Sequence, residues 1–418
     1  MSAICSVVSA APSAGALELS VVLPCLNEAR TLGACLEKVQ ATLARYNIRG
    51  EVVVADNGST DCSVLIAENM GARVTHVEAQ GYGNALIGGI AAAAGQYIVI
   101  GDCDDTYDFS HIPRFLEKLR EGYDLVMGNR FAGGIQSGAM PALHRYIGNP
   151  LLSLVGRIFF HSCFHDFHCG LRGFSKDGYE RLGLCTTGME FASEMAVKAV
   201  LMRLRVCEVP TTLSPDGRER RPHLRTWRDG WRHLRFMLLY SPRWLFLYPG
   251  LLMMLTGLLS GLWLLPQPRI IHGITLDVHT LLYAMVAIII GFQAVAFSVF
   301  AKFYGMTEGL LPEDPRAQRL LQIFTLETGL ACGGLLMLAG VSGSIYAVHI
   351  WSRHGFGPLN TSIMLRTVLP SVTAMTLGCQ SVLYSFFLSV LGLARNKAKV
   401  IRNSQRSNFS PATVPRNS

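Results

Sequence analysis

The sequence predicts two architectures in one chain: an α/β domain on a mostly parallel sheet, then an all-α transmembrane domain. Three observations carry this reading. Short apolar strands alternate with helical patterns up to about residue 130. Four apolar runs, each long enough to cross a bilayer, follow residue 243. The 418 residues are 50% hydrophobic and only 16% charged, with a mean hydropathy of +0.32, which suits a chain partly immersed in lipid.

Taken in order, "LELSVVLPCLNE" reads as a buried strand ending at Pro24. Leu32, Leu36, Val39 and Leu43 then recur at helical spacing. "EVVVADNGSTD" is a strand running into a turn, and "CSVLIAENMG" a helix closed by Gly71 as its C′ residue. A strand ("ARVTHVEA"), a helix ("GNALIGGIAAAAG"), a strand ("QYIVIGD"), a helix ("HIPRFLEKLREG") and a strand ("YDLVMGNR") complete the series. Strict alternation with continuous apolar strands indicates a parallel sheet covered on both faces. In such sheets ligands bind beyond the carboxyl ends of the strands. The polar motifs fall there: Asn27-Glu28, Asp56-Asn57, Asp102 to Asp105 and Asn129-Arg130.

The stretch "GDCDDTYD", residues 101–108, crowds four carboxylates at the end of a buried strand. Such acids repel one another and desolvate poorly. A divalent cation relieves both costs, and Mg²⁺ or Mn²⁺ is commonly held by one or two carboxylates plus substrate phosphates. Asp102 and Asp104 form the D-x-D pattern that suits this. There is no G-x-x-x-x-G-K-[ST] loop, which argues against a P-loop NTPase. "GYGNALIGG" has Leu86 where a dinucleotide fingerprint needs its third glycine, and it follows the third strand rather than the first.

Together "VVLPCLNE", "VVADNGSTD", "GYGNALIGGI" and "DCD" resemble the inverting family 2 glycosyltransferases of GT-A (Rossmann-like) fold, over roughly residues 19–240. The nearest subgroup is the polyprenyl-phosphate glycosyltransferases, similar to dolichyl-phosphate mannose or glucose synthases. The resemblance implies that Pro24, Asn27 and Glu28 line a nucleotide pocket and that Asp56 meets the base or ribose. It places Asn57, Asn84 and Arg130 among the nucleotide-sugar contacts, and Asp102 and Asp104 on the metal and diphosphate, Asp104 with a catalytic role. "FHDFHCGLRGF" resembles the subgroup's D-x-x-[CS]-G-[FL]-R pattern and assigns Asp166 and Arg172 to orienting sugar and acceptor phosphate. A structural turn held by an Asp–Arg pair is the alternative there. Arg218 and Arg220, helped by His223, are candidates to close over the diphosphate. Three departures stand out: Asn57 where the family often has a second Asp, Tyr82 where it often has Lys, and the extra acid Asp105. The implied reaction moves a hexose from a UDP- or GDP-linked donor to a polyprenyl phosphate, inverting the anomeric carbon. An acceptor phosphate with a second pKa of about 6 is already a dianion at neutral pH, so no strong general base is required.

Glu190 and Glu194, one helical turn apart, face either the site or solvent. His161, Cys163, His165, His168 and Cys169 match no closed zinc spacing. Residues 216–243 hold eight arginines with Trp227 and Trp231. Directly before a membrane span, this reads as an interfacial amphipathic helix rather than a nucleic-acid surface. Spans are expected near 244–265, 280–301, 325–350 and 364–394. The first loop between spans to carry several cations holds Lys302, Arg316 and Arg319, and the tail holds Arg395, Lys397, Lys399 and Arg402. The positive-inside rule then puts both termini, and the catalytic domain, in the cytoplasm.

The expected domains are a disordered segment 1–18, a GT-A domain 19–215, the interfacial segment 216–243, a four-helix membrane domain 244–394 and a basic tail 395–418. The first residues lack a positive n-region, so no cleaved signal peptide is expected. The scattered cysteines suit a reducing compartment. Rival readings are a processive polysaccharide synthase, opposed by Tyr240 where Q-x-x-R-W needs Gln, and a lipid-carrier flippase or binding protein with an inactive catalytic half. Homo-oligomerisation is left open.

Overall fold

A computed structural model describes residues 17–217, 226–315, 319 and 325–408. The expected disordered segment lies outside these except for residues 17 and 18, as do residues 409–418 of the tail. The chain forms two compact units, one up to Met237 and one from Leu238.

The first unit runs β1 (Leu19–Cys25), α1 (Leu32–Arg45), β2 (Gly50–Asp56), α2 (Ser63–Asn69), β3 (Arg73–His76), α3 (Tyr82–Ala92), β4 (Tyr97–Ile100), α4 (Ile112–Arg120) and β5 (Leu125–Asn129). It continues with the short α5 (Arg130–Gly133), α6 (Asn149–Phe160), β6 (Arg172–Ser175), α7 (Lys176–Leu182), α8 (Phe191–Leu201), β7 (Val206–Pro210) and α9 (Thr226–Leu239). Seven strands order as β3-β2-β1-β4-β6-β5-β7. All neighbours are parallel except β6, which is antiparallel to both β4 and β5. The sheet is mostly parallel, as the alternation predicts, and the fold is GT-A-like, as the resemblance implies; β6 and β7 are additions that the sequence reading did not include.

The strands are apolar on both faces because helices cover both. Val21, Val22, Leu23, Val53, Ile98, Val99, Val126 and Met127 are fully buried. The α1 positions Leu32, Leu36, Val39 and Leu43 form its buried stripe, and α4 buries Ile112, Phe115, Leu116 and Leu119. At about 25 cal/mol per Å² of apolar surface removed from water, each such side chain contributes roughly 1.5–3 kcal/mol. Gly71 follows the C-cap of α2 at φ +73°, a left-handed position that favours glycine.

The second unit contains four helices long and apolar enough to cross a membrane: Arg243–Leu264, Val278–Thr307, Leu326–Arg353 and Thr361–Gly392. Their α-helical parts are α10 (Tyr248–Leu264), α11 (Val278–Thr307), α12 (Leu326–Arg353) and α13 (Thr361–Asn408). A two-stranded hairpin, β8 (Arg269–Ile271) with β9 (Ile274–Leu276), links α10 to α11. The helix α13 continues to Asn408, so the first part of the expected tail is helical.

Candidate active site

Parallel pairing sends the carboxyl ends of β1, β2, β4 and β5 to one edge of the sheet, and the polar motifs collect there. At the end of β1, Asn27 takes φ +58°. Its side-chain Oδ1 accepts from Thr60 N (2.7 Å), while its own N–H donates to Ser59 Oγ (2.9 Å). Glu28, buried at 6% exposure, donates its N–H to Ser63 Oγ (2.8 Å). Pro24 lies in β1 opposite Ala55 of β2. The first two strand ends are thus stitched together by "NGSTD" side chains.

Asp56 accepts from Ser59 N (3.1 Å) and contacts His76 Nδ1 (3.3 Å). Burial pushes its carboxyl up, but the hydrogen bonds from Ser59, His76 and Gly58 outweigh this and its pKa lies below the usual carboxylate value. Asn57 does different work. Its Nδ2 donates to Val77 O (3.0 Å) and Ala79 O (2.8 Å), and its Oδ1 accepts from Gly81 N (2.7 Å). The Asn57 amide, expected among the nucleotide contacts, here holds the loop that leads into α3. Asn84 likewise spends its Nδ2 on Gln80 O (3.0 Å).

The acidic cluster resolves into distinct roles. Asp102 Oδ1 accepts from Tyr82 Oη (2.9 Å). Asp104 Oδ1 accepts from Thr106 N (3.2 Å) and Thr106 Oγ1 (2.5 Å). Asp105 sits at φ +64° and pairs with Lys38 Nζ on α1 (2.6 Å). Asp102 and Asp104 both accept from uncharged donors, and the extra acid pairs with a lysine. Two oxygen-donor carboxylates fit a hard dication such as Mg²⁺ or Mn²⁺. No cluster of three His, Cys, Asp or Glu is gathered among the described residues, the five of the 161–169 segment included.

Arg130 and Asp166 meet in a buried bidentate pair, Nε–Oδ2 and Nη2–Oδ1 both 2.7 Å, with Asp166 fully enclosed. Glu208 of β7 braces the segment, accepting from the N–H groups of His165 (2.6 Å) and Asp166 (3.0 Å) and from Asn129 Nδ2 (2.9 Å). Arg172 is 1% exposed and its guanidinium donates to the carbonyls of Cys169, Phe167 and Ala192. An Asp–Arg pair does hold this turn, but the arginine is Arg130. In this structure the charged groups of Arg130, Asp166 and Arg172, expected on sugar and phosphate, are bonded inside the fold.

Glu194 faces neither site nor solvent. Fully buried, it pairs with Lys198 (2.8 Å) and accepts from Cys185 N (3.0 Å) and Thr186 N (2.8 Å). That fixes the 185–187 loop, against which Gly81 and Gly83 pack so closely that a Cβ on either would lie 2.4 Å from a threonine carbonyl. Glu190 lies 3.8 Å from Arg232. Tyr82, Lys38 and Gly170 touch the acidic cluster and were assigned no role by motif reading; a Cβ on Gly170 would lie 2.5 Å from Asp102 Oδ2. The described chain reaches Gly217, whose N–H donates to Asp104 O (3.3 Å). Arg218, Arg220 and His223 lie outside the described residues.

Comparison with known proteins agrees with this architecture. Residues 20–183 match the glycosyl transferase family 2 model, and residues 299–392 match the glycosyltransferase family 2 C-terminal transmembrane region. The low-salt glycan biosynthesis hexosyltransferase Agl6 of Haloferax volcanii is 38% identical over 376 residues, 90% of this chain and 89% of that protein. A dolichyl-phosphate hexose transferase of the same organism is 32% identical over 46% of this chain and 81% of its own length. A solved glucosyl-3-phosphoglycerate synthase from Mycobacterium tuberculosis, in complex with Mn²⁺, UDP and glucosyl-3-phosphoglycerate, is 23% identical with a TM-score of 0.41, covering 54% of this chain and 78% of that one. With its strand-end carboxylates, its GT-A-like sheet and the four apolar helices that follow along the sequence, this chain belongs to glycosyltransferase family 2 and is a membrane glycosyltransferase.

Proposed function

We propose that the protein transfers a hexose from a UDP- or GDP-linked donor to a polyprenyl phosphate, giving a polyprenyl-phosphate sugar with inverted anomeric configuration. The observation that carries this is the Asp102–Asp104 pair at the end of β4, beside Glu28 and Asp56, in a chain with four membrane helices. Glu28 and Asp56 offer acceptors to the nucleoside. Asp102 and Asp104 would hold Mg²⁺ or Mn²⁺, which would supply charge neutralisation for the leaving diphosphate. Arg218 and Arg220 add cationic cover to the same group. The acceptor phosphate arrives as a dianion and attacks without a strong base.

The acceptor's lipid tail needs a catalytic unit that sits at a bilayer surface. Leu143, Tyr146, Ile147, Leu151, Leu154 and Ile158 form an exposed apolar stripe along and before α6, flanked by Arg145 and Arg157. On α9, Trp227 and Trp231 are exposed while His233, Phe236 and Met237 are buried. Aromatic and basic side chains of this kind favour the interface. The Lys and Arg of the loop after α11 and of the tail support a cytoplasmic active site. The test uses membranes containing the protein, labelled UDP- and GDP-sugars, polyprenyl phosphate and Mg²⁺ or Mn²⁺. Organic-soluble, acid-labile label from one donor, lost with EDTA and reduced at least about 100-fold in Asp104→Asn, is expected. No transfer from any donor overturns the assignment.

A further inference from the structure

The hydroxyl of Tyr82 donates to Asp102 Oδ1 at 2.9 Å. Its place is tightly determined. It opens α3 between Gly81 and Gly83, and both glycines pack on the carbonyls of Thr186 and Thr187. Those carbonyls are in turn held by buried Glu194 through the N–H and hydroxyl of Thr186. On the other side of Asp102, Gly170 lies too close to accept a side chain. The aspartate is therefore clamped between a phenol and a bare backbone.

We infer that Tyr82 is a positioning residue for the cation site: it orients Asp102 towards a divalent metal with a neutral hydrogen bond. A lysine at this position would place a positive charge beside the same oxygen and oppose the metal. The inference rests on the proposed metal-dependent reading. Its test is Mn²⁺ binding to the full-length protein in detergent with UDP or GDP present, followed by the electron paramagnetic resonance signal of free Mn²⁺. Tyr82→Phe should weaken Mn²⁺ binding about 10–100-fold, the usual effect of removing a partner that orients a metal ligand. Tyr82→Lys should weaken it further, and Asp104→Asn should abolish it. In transfer assays Tyr82→Phe should recover most of its kcat at saturating Mn²⁺, whereas a merely structural loss lowers kcat at every concentration. Equal Mn²⁺ affinity in wild type and Tyr82→Phe overturns the role of Tyr82 while sparing the metal reading. No Mn²⁺ binding by the wild type overturns both.

A second inference comes from the membrane unit alone. Gly250, Met254 and Gly257 on α10 recur as Gly333, Met337 and Gly340 on α12 at one constant shift along the chain. Gly291, Gln293, Val295, Ser298 and Phe300 on α11 recur, at a second constant shift slightly longer than the first, as Gly378, Gln380, Val382, Ser385 and Phe387 on α13. The contacts recur with the residues. A Cβ on Gly250 would meet Gly291 O (2.8 Å) and Val295 N (3.1 Å); one on Gly333 would meet Gly378 O (2.8 Å) and Val382 N (3.2 Å). Gly257 approaches Ala284 O and Ile288 N, and Gly340 approaches the equivalent Ser371 O and Met375 N. Between the hairpins, Phe300 packs on its own counterpart Phe387 at 4.8 Å between ring centroids, the self-paired contact of a two-fold interface.

We infer that the four spans are a duplicated two-helix hairpin, its copies related by a pseudo-two-fold axis along the membrane normal. A cysteine pair in the otherwise cysteine-free full-length protein tests this. Phe300→Cys with Phe387→Cys should cross-link. As a folding check independent of cysteine, Gly250→Leu and Gly333→Leu should lower the melting temperature by similar amounts. No cross-link between Phe300→Cys and Phe387→Cys, or melting losses confined to one of the two leucine variants, overturns the duplication.

Discussion

Replacing Asp166 by asparagine tests whether the Arg130–Asp166 pair is structural. The change keeps the side-chain volume and removes one charge from a site where the aspartate is fully enclosed and Arg130 is 7% exposed. The guanidinium, which spends two N–H groups on this carboxylate, is left as a buried cation without its counter-charge. Breaking one side of such a pair costs about 3–5 kcal/mol. For a unit of this size, each kcal/mol lowers the melting temperature by about 2–4 °C, so Asp166→Asn should melt roughly 6–20 °C below wild type. The measurement is intrinsic-fluorescence melting of the detergent-solubilised protein at neutral pH. The double variant Arg130→Met/Asp166→Leu removes both charges at similar volume and should recover most of the loss. An Asp166→Asn protein melting within about 2 °C of wild type but inactive would refute this account and return Asp166 to substrate binding.

Three further outcomes follow from the same geometry. Gly170→Ala puts a methyl 2.5 Å from Asp102 Oδ2 and 3.0 Å from Tyr107 Oη; transfer activity should fall by about 100-fold or more, because small misplacements at a reacting centre cost that much, with far less change in melting. Burial, His233, Arg172 and Arg130 hold the His168 pKa well below 6.5. Below pH 6.5 the unfolded chain takes up a proton that the folded protein refuses, so stability falls on acidification by up to about 1.4 kcal/mol per pH unit; His168→Gln should flatten that slope in melts between pH 7.5 and 5.5. Gly291→Val places a Cβ 2.6 Å from Gly250 O and should separate α10 from α11, seen as early melting and aggregation of the purified protein.

Much of this was legible in the sequence because period and position report burial well. Apolar strands alternating with amphipathic helices define the sheet, and polar residues at strand ends define the crevice, so Asp56, Asp102 and Asp104 stand where expected. What stayed hidden depends on partners distant along the chain. Nothing local in "FHDFHCGLRGF" shows that Asp166 pairs with Arg130 or that Arg172 is spent on carbonyls; both look like exposed functional charges until the fold closes around them. Glu194 was misjudged for the same reason, its partners being the backbone of a loop that no periodicity describes. Strand β6 escaped because four residues beginning Arg-Gly carry too weak a signal.

That short strand also governs the order in which the catalytic unit can assemble. Strands β4 and β5 are consecutive along the chain yet do not pair; β6 lies between them, antiparallel to both. As the polypeptide emerges, β1 to β4 can join through successive crossovers, while β5 has no neighbour until residue 175 has been made. Closure of the sheet is a late, long-range event, and until then two open strand edges are exposed to wrong partners. Substitutions in "RGFS" should therefore depress the yield of folded enzyme out of proportion to their effect on the finished molecule.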